Sequence, residues 1–130
     1  MTKKEAQKRV LQNGKPLDLD KFEWDEKTNT FSSNEDRLVL DFNGKIDCTF
    51  KTGFDCTFKT DSYCTFETEK KCVVVRRDIY EVIELDGTEK IKLNEDCISG
   101  YVVLEDKELS LSGEEVEVKI KGKTYKAIIN

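Results

Sequence analysis

The sequence predicts a mainly β protein: a short parallel β-solenoid (β-helix) built from octad repeats, with a short N-terminal helix and a C-terminal antiparallel β meander. Three observations predict this. Four octads lie end to end over 46–77: IDCTFKTG, FDCTFKTD, SYCTFETE and KKCVVVRR. Cys48, Cys56, Cys64 and Cys72 fall eight apart, as do Phe50, Phe58 and Phe66, and Val74 takes the next slot. A strict short period means one unit stacked on copies of itself. Second, the Cys and Phe slots of each octad are two apart, which sends both side chains to one face of an extended chain. Third, turn-like pairs fill the rest: Thr-Gly at 52–53, Thr-Asp at 60–61 and Asn-Gly at 43–44.

Each octad therefore reads as a short strand plus a corner. Small Cys beside large Phe suits a narrow core. Like residues would stack at the strand spacing of ~4.8 Å. An antiparallel meander of tight hairpins has no reason to repeat its turns identically, so the solenoid is preferred. Two octads per coil and three per coil both remain open. The register extends one octad each way. In 38–45, Leu40 takes the Cys slot and Phe42 the Phe slot; in 78–85, Tyr80 and Val82 do so. Beyond these the slots hold Ser32 and Asn34, or Thr88 and Lys90, and the pattern ends. The expected organisation is a capping segment over 1–37, the repeat over 38–85 and an antiparallel module over 86–130.

Residues 3 to 12 read as a helix capped by Thr2 and stopped by Asn13-Gly14, with Pro16 beyond. Such a helix would cover an open end of the solenoid. Strands are expected in LDKFEW, NTFSS and RLVLDF, with a turn from Asp25 to Asn29 and Trp24 in the core or its cap. After the repeat, Asp86-Gly87 signals a hairpin between VIEL and EKIKL. GYVVLE, ELSLS, EVEVKI and TYKAII are further strands, with turns at Gly113 and Lys121–Lys123. Val116, Val118 and Ile120 alternate with Glu117 and Lys119, the pattern of a half-buried sheet.

The chain has 130 residues and a net charge of −5. Residues 78–130 carry seven basic and thirteen acidic side chains, whereas 1–45 are balanced. An acidic chain without a basic stripe is a poor partner for nucleic acid or anionic membrane. The N-terminal stretch lacks an apolar segment, so no secretory signal is expected, and no run approaches a membrane span. The expected location is a host cytoplasm or a virion assembled there.

Chemistry is limited by the inventory. There is no histidine, which excludes Ser-His-Asp and Cys-His arrangements. Cysteines eight apart are not a zinc knuckle, and no phosphate-cradling glycine motif occurs. No cofactor, metal or catalytic residue is therefore expected, and the chain reads as a non-enzyme. The four in-register cysteines read as buried free thiols acting as small hydrophobes. The outward threonines resemble an ice-binding ladder only in part, because Lys51, Lys59 and Glu67 interrupt it.

The CTFKTG-type octads running into CVVVRRDIYEVIEL, with the lead-in KPLDLDKFEWDEKTNTFS, resemble phage- and prophage-encoded octapeptide-repeat proteins of uncharacterised function. The resemblance spans roughly residues 10–85. It implies a viral origin and a parallel β-solenoid, and carries over no catalytic residue. The few copies here argue against a long fibre. The expected function is a non-catalytic viral binding protein that acts by protein–protein contact, inhibiting a host or defence protein; a tail- or fibre-associated virion module, homo-oligomeric, is the alternative. The candidate partner-binding residues are the outward rank Thr49, Lys51, Thr57, Lys59, Thr65 and Glu67. The basic cluster Lys70, Lys71, Arg76 and Arg77 is a second candidate, either a solvated edge beside the VVV run or a contact for an acidic partner or phosphate.

Overall fold

The structure, a computed structural model, describes residues 1–106, 114–120 and 123–129, with side chains through residue 104. The expected strand ELSLS, the turns at Gly113 and 121–122, and the burial of Val116, Val118 and Ile120 lie outside what is described.

The protein is mainly β. The chain opens with helix α1 (Lys3–Gln7), followed by β1 (Val10–Gln12), β2 (Lys15–Pro16), a 3-10 turn (Leu19–Lys21), β3 (Glu23–Asp25), β4 (Thr30–Ser32) and β5 (Leu38–Asp41). The repeat supplies β6 (Thr49–Lys51), β7 (Thr57–Thr60), β8 (Thr65–Glu67) and β9 (Cys72–Arg76). Then come β10 (Glu81–Leu85), β11 (Glu89–Leu93), β12 (Tyr101–Asp106), β13 (Glu114–Ile120) and β14 (Lys123–Ile129). The strands form two mixed six-stranded sheets. The first has the order β10-β9-β7-β5-β1-β2 and the second β12-β11-β8-β6-β4-β3, while β13 and β14 pair antiparallel with each other.

Successive octads alternate between the two sheets. Phe50 pairs with Phe66 and Phe58 with Val74, each in parallel register and sixteen residues apart. The repeat unit of eight thus becomes a pairing unit of two octads, because each corner carries the chain across to the other sheet. The inner faces meet at the phenylalanines. Phe50 contacts Phe58 from the facing sheet at 5.4 Å and Phe66 from its own at 5.3 Å, and Phe58 meets Phe66 edge-on at 5.0 Å. Such pairs add about 0.5–1.5 kcal/mol each beyond their area burial. The column continues through Phe42 and Phe31 to Trp24 and Phe22. On the other side it passes to aliphatic Val74, Ile83, Ile91 and Leu93.

The corners share one backbone device. Arg37, Asp47, Asp55, Tyr63 and Lys71 all take left-handed φ of 58° to 63°, and each directly precedes an inward residue: Leu38 or one of the four repeat cysteines. One left-handed residue per octad reverses the chain before the next strand. It also costs about 1–2 kcal/mol for a non-glycine side chain, so the corners are held against their own preference by the packing of the strands. Gly53 is needed for a different reason. A Cβ there would sit 2.0 Å from the Asp36 carboxylate, whose oxygen accepts the Phe54 N–H.

Several expectations change. Helix α1 ends at Gln7, with the Thr2–Glu5 capping box in place, and Val10 begins a strand. Asn13-Gly14, both at positive φ, turns the β1–β2 hairpin instead of stopping a helix. Octad 38–45 is out of register by two. Leu40, not Phe42, pairs with Phe58, because the Asn43-Gly44 turn adds two residues before Phe50. The pattern also continues where it was expected to end, since Phe31 pairs in parallel with Phe50. Octad 78–85 does not continue it. Its strand β10 folds back antiparallel on β9, so Ile83 and Leu85 point inward while Tyr80 and Val82 are 78% and 63% exposed. Finally, Asp86-Gly87 makes no hairpin. It is a corner that carries the chain from β10 in one sheet to β11 in the other. A Cβ on Gly87 would meet the Lys70 nitrogen at 2.6 Å, so the residue's left-handed turn packs directly on the preceding corner.

Other expectations hold. The turn from Asp25 to Asn29 joins β3 and β4, EKIKL and YVVLE are strands, and EVEVKI pairs with TYKAII. Trp24 is buried and donates its indole N–H to the Met1 carbonyl at 2.8 Å.

Candidate functional site

The alternation between sheets divides the outward rank. Thr49, Lys51 and Glu67 lie on the outer face of the second sheet, where Thr30, Thr49 and Thr65 form one row and Ser32, Lys51 and Glu67 the next. Thr65 itself is buried, at 9% exposure, and so is not a contact residue. Thr57 and Lys59 lie on the first sheet, on the opposite side of the molecule. There Val39, Thr57 and Val73 are in register, with Leu11 beside Val39. The other five residues therefore belong to two surfaces of different character, one polar with Thr49, Lys51 and Glu67, and one largely aliphatic with Thr57 and Lys59.

The basic cluster is also divided. Lys70, Lys71 and Arg77 are exposed, but Arg76 is fully buried. Its guanidinium donates to both Asp78 carboxylate oxygens and to the carbonyls of Glu95 and Ile98. Asp78 also accepts the Cys97 N–H at 3.2 Å. Burial acts to raise the Asp78 carboxyl, but the Arg76 and Cys97 hydrogen bonds outweigh it and hold the group below the usual carboxylate range. Arg76 is thus not a contact residue. It fixes the loop between β11 and β12 from beneath. The Glu81 carboxylate accepting the Gly100 N–H and Asn94 donating to the Ser99 carbonyl fix the same loop from its ends.

That loop builds an apolar groove. A cavity of about 450 Å³ lies among Tyr63, Lys92, Asn94, Glu95, Ile98 and Val102. Ile98 and Val102 are 47% and 48% exposed. Tyr63 stands on a left-handed corner, donates its backbone N–H to the Asn94 carbonyl and its hydroxyl to Glu95 at 3.2 Å, and carries the Lys92 ammonium 5.6 Å from its ring centroid. The hydrogen bond to Glu95 also pushes the Tyr63 hydroxyl pKa up. An aromatic ring with a fixed rotamer, two exposed aliphatic chains and a cation beside a carboxylate make a surface for docking a folded partner or an extended segment. Sequence reading missed it because its residues come from two separated stretches, Tyr63 and 92–102. The one local signal, Tyr63 in a slot that otherwise holds Asp or Lys, is weak.

The four repeat cysteines are buried and unbridged, and Cys97 is exposed. Contact with the Cys72 thiol, then burial, pushes the Cys56 thiol up, and Cys48 acts likewise on Cys64. Among the described residues, no three His, Cys, Asp or Glu side chains converge on a metal position, and no helix is long and apolar enough to cross a membrane. Comparison of the chain with protein-family models, with curated proteins and with solved structures finds no match.

Proposed function

We propose that this is a non-catalytic binding protein that holds a protein partner in the groove of Tyr63, Ile98 and Val102. The observation that carries the reading is the effort spent on that groove. A fully buried arginine and four further hydrogen bonds hold in place a loop that leaves Ile98 exposed to solvent. Burying a charged guanidinium is costly unless it is fully paired, and here its pairing partners are Asp78 and the carbonyls of that loop. The sixteen-residue parallel register supports reading residues 47–76 as a short parallel β-solenoid with two octads per coil, a stiff platform for such a site. A viral origin, with a host or defence protein as target, rests on the resemblance of the octads alone.

A second reading is a self-associating virion module. It is favoured by the other surface, where Leu11, Val39 and Val82 are exposed on the outer face of the first sheet. One experiment addresses both. The wild-type chain, Val102→Glu and Val39→Lys are used as baits in host lysate, with the mass of each bait measured in solution. A saturable protein partner lost with Val102→Glu and kept with Val39→Lys is the expected result. Self-assembly abolished by Val39→Lys, with no captured partner, would replace the first reading with the second.

A further inference from the structure

A second cavity, of about 420 Å³, lies among Met1, Glu5, Lys8, Arg9 and Lys45, where the end of α1 meets the turn after β5. We propose that it is a binding site for a small di- or triphosphate anion. The inference is independent of the groove and of any protein partner.

Its centre is Arg9. The guanidinium donates through Nη1 to the Asp41 carbonyl at 3.1 Å and to the Asn43 carbonyl at 3.4 Å, and it lies 5.9 Å from the Phe42 ring centroid. Arg9 is therefore held by one nitrogen and by an aromatic face, with no carboxylate partner among the described residues. An arginine fixed in this way has already lost its rotamer freedom and keeps further donors in a planar fork, the geometry that suits phosphate oxygens. Lys8 and Lys45 add two ammonium groups to the same cavity. Neither they nor Arg9 enters an ion pair among the described residues, although lysines and arginines elsewhere on the chain do. The one carboxylate in the wall, Glu5, is already engaged. Its Oε1 accepts the Thr2 N–H at 2.9 Å in the capping box, which holds its carboxyl below the ordinary range. Three cations against one committed anion leave a surplus of positive charge in a chain whose total is −5. Two further carboxylates stand at the adjoining turn, but each is engaged by backbone, Asp41 accepting the Asn43 N–H and Asp61 the Gly44 N–H, while the groups touching Arg9 are the Asp41 and Asn43 carbonyls.

Charge and size select the ligand class. A single carboxylate would meet one of the three cations. A di- or triphosphate spans several at once and fills more of the cavity, and Arg9 would take two of its oxygens side by side.

The test is a titration of the full chain with inorganic pyrophosphate at low ionic strength, read by calorimetry and by the Arg9 Nε–H resonance. Lys45→Gln and Lys71→Gln serve as variants. Lys45 is bonded to the core through its backbone N–H and carbonyl, which the side-chain change leaves in place, so its variant keeps the fold. Lys71 is exposed and does not line the cavity. The expected result is saturable binding at one site, a shifted Arg9 resonance, about threefold to tenfold weaker binding for Lys45→Gln, and unchanged binding for Lys71→Gln. Absence of saturable binding overturns the proposal. Equal weakening by both variants also overturns it, because diffuse attraction to surface charge would then account for the effect.

Discussion

The octad stack and the segment after it solve the same problem in opposite ways. From Cys48 to Val74 each level repeats the last: a left-handed corner, an inward Cys, an inward Phe (Val74 at the last level) and a parallel partner sixteen residues away. From Asp78 to Val102 nothing repeats. Strands run antiparallel, the core turns aliphatic, and one buried arginine ties its own segment to the loop between β11 and β12. The difference teaches where specificity resides. Repetition spreads stability over many equivalent contacts and gives surfaces without distinguishing features. The unrepeated segment concentrates stability in one polar junction and is where the apolar groove forms.

This comparison is best broken at its two centres. Phe58→Ser removes a fully buried ring that touches Phe50 and Phe66 and leaves a hydroxyl in an apolar core. Its expected cost is about 5 kcal/mol or more, enough to unfold the chain, and chemical denaturation will measure it. Retention of wild-type stability would mean that the Phe slots do not face the core. Arg76→Met should cost about 3–5 kcal/mol, because it leaves the Asp78 carboxylate buried without its cation. Hydrogen exchange should then quicken in 94–100 and leave the octad strands protected. The double variant Arg76→Met with Asp78→Leu should recover most of the loss, since the unpaired charge goes with it.

The junction also has a pH signature. Asp78 has a folded pKa below its unfolded value of about 3.9. Its contribution is therefore present above about pH 4 and lost as pH falls through the lower, folded value. Melting curves of wild type and Asp78→Asn should differ near neutral pH and converge as the acid limb is descended. Curves separated by a constant amount down to pH 2 would remove Asp78 from the account. The smallest effect is at the corners. Lys71→Asn places a residue tolerant of left-handed φ where lysine now sits at 63°. It should stabilise by a few tenths to about 1 kcal/mol, measurable as a raised melting temperature.

Much of the fold was legible because a period states which residues face the same way. The inward assignment of Cys48, Phe50, Cys56, Phe58, Cys64 and Phe66 needed only alternation and a strict count. What the count could not register was an insertion. Two extra residues at Asn43-Gly44 moved Leu40 by one inward position, and further irregularity hid Phe31 altogether. Direction was equally invisible. The sequence of β10 alternates whether it runs parallel or antiparallel, and the register in which it folds back, Ile83 opposite Val74, put Ile83 and Leu85 inward in place of Tyr80 and Val82. The candidate site was the least legible part. Thr49 and Thr57 look equivalent in sequence and lie on opposite faces, because eight residues advance the chain by one sheet. Arg76 looked like a surface cation, and only the carbonyls of Glu95 and Ile98, brought from nineteen and twenty-two residues away, make it a core residue.

The central claim is the pairing of octads sixteen residues apart. Backbone nuclear Overhauser contacts in the isotope-labelled chain test it directly. The account predicts amide-to-Hα contacts between Thr49 and Thr65 and between Thr57 and Val73, with none between Thr49 and Thr57. Strong contacts between strands of adjacent octads, in the alternating pattern of antiparallel pairs, would contradict it and replace the two facing sheets with a single meander.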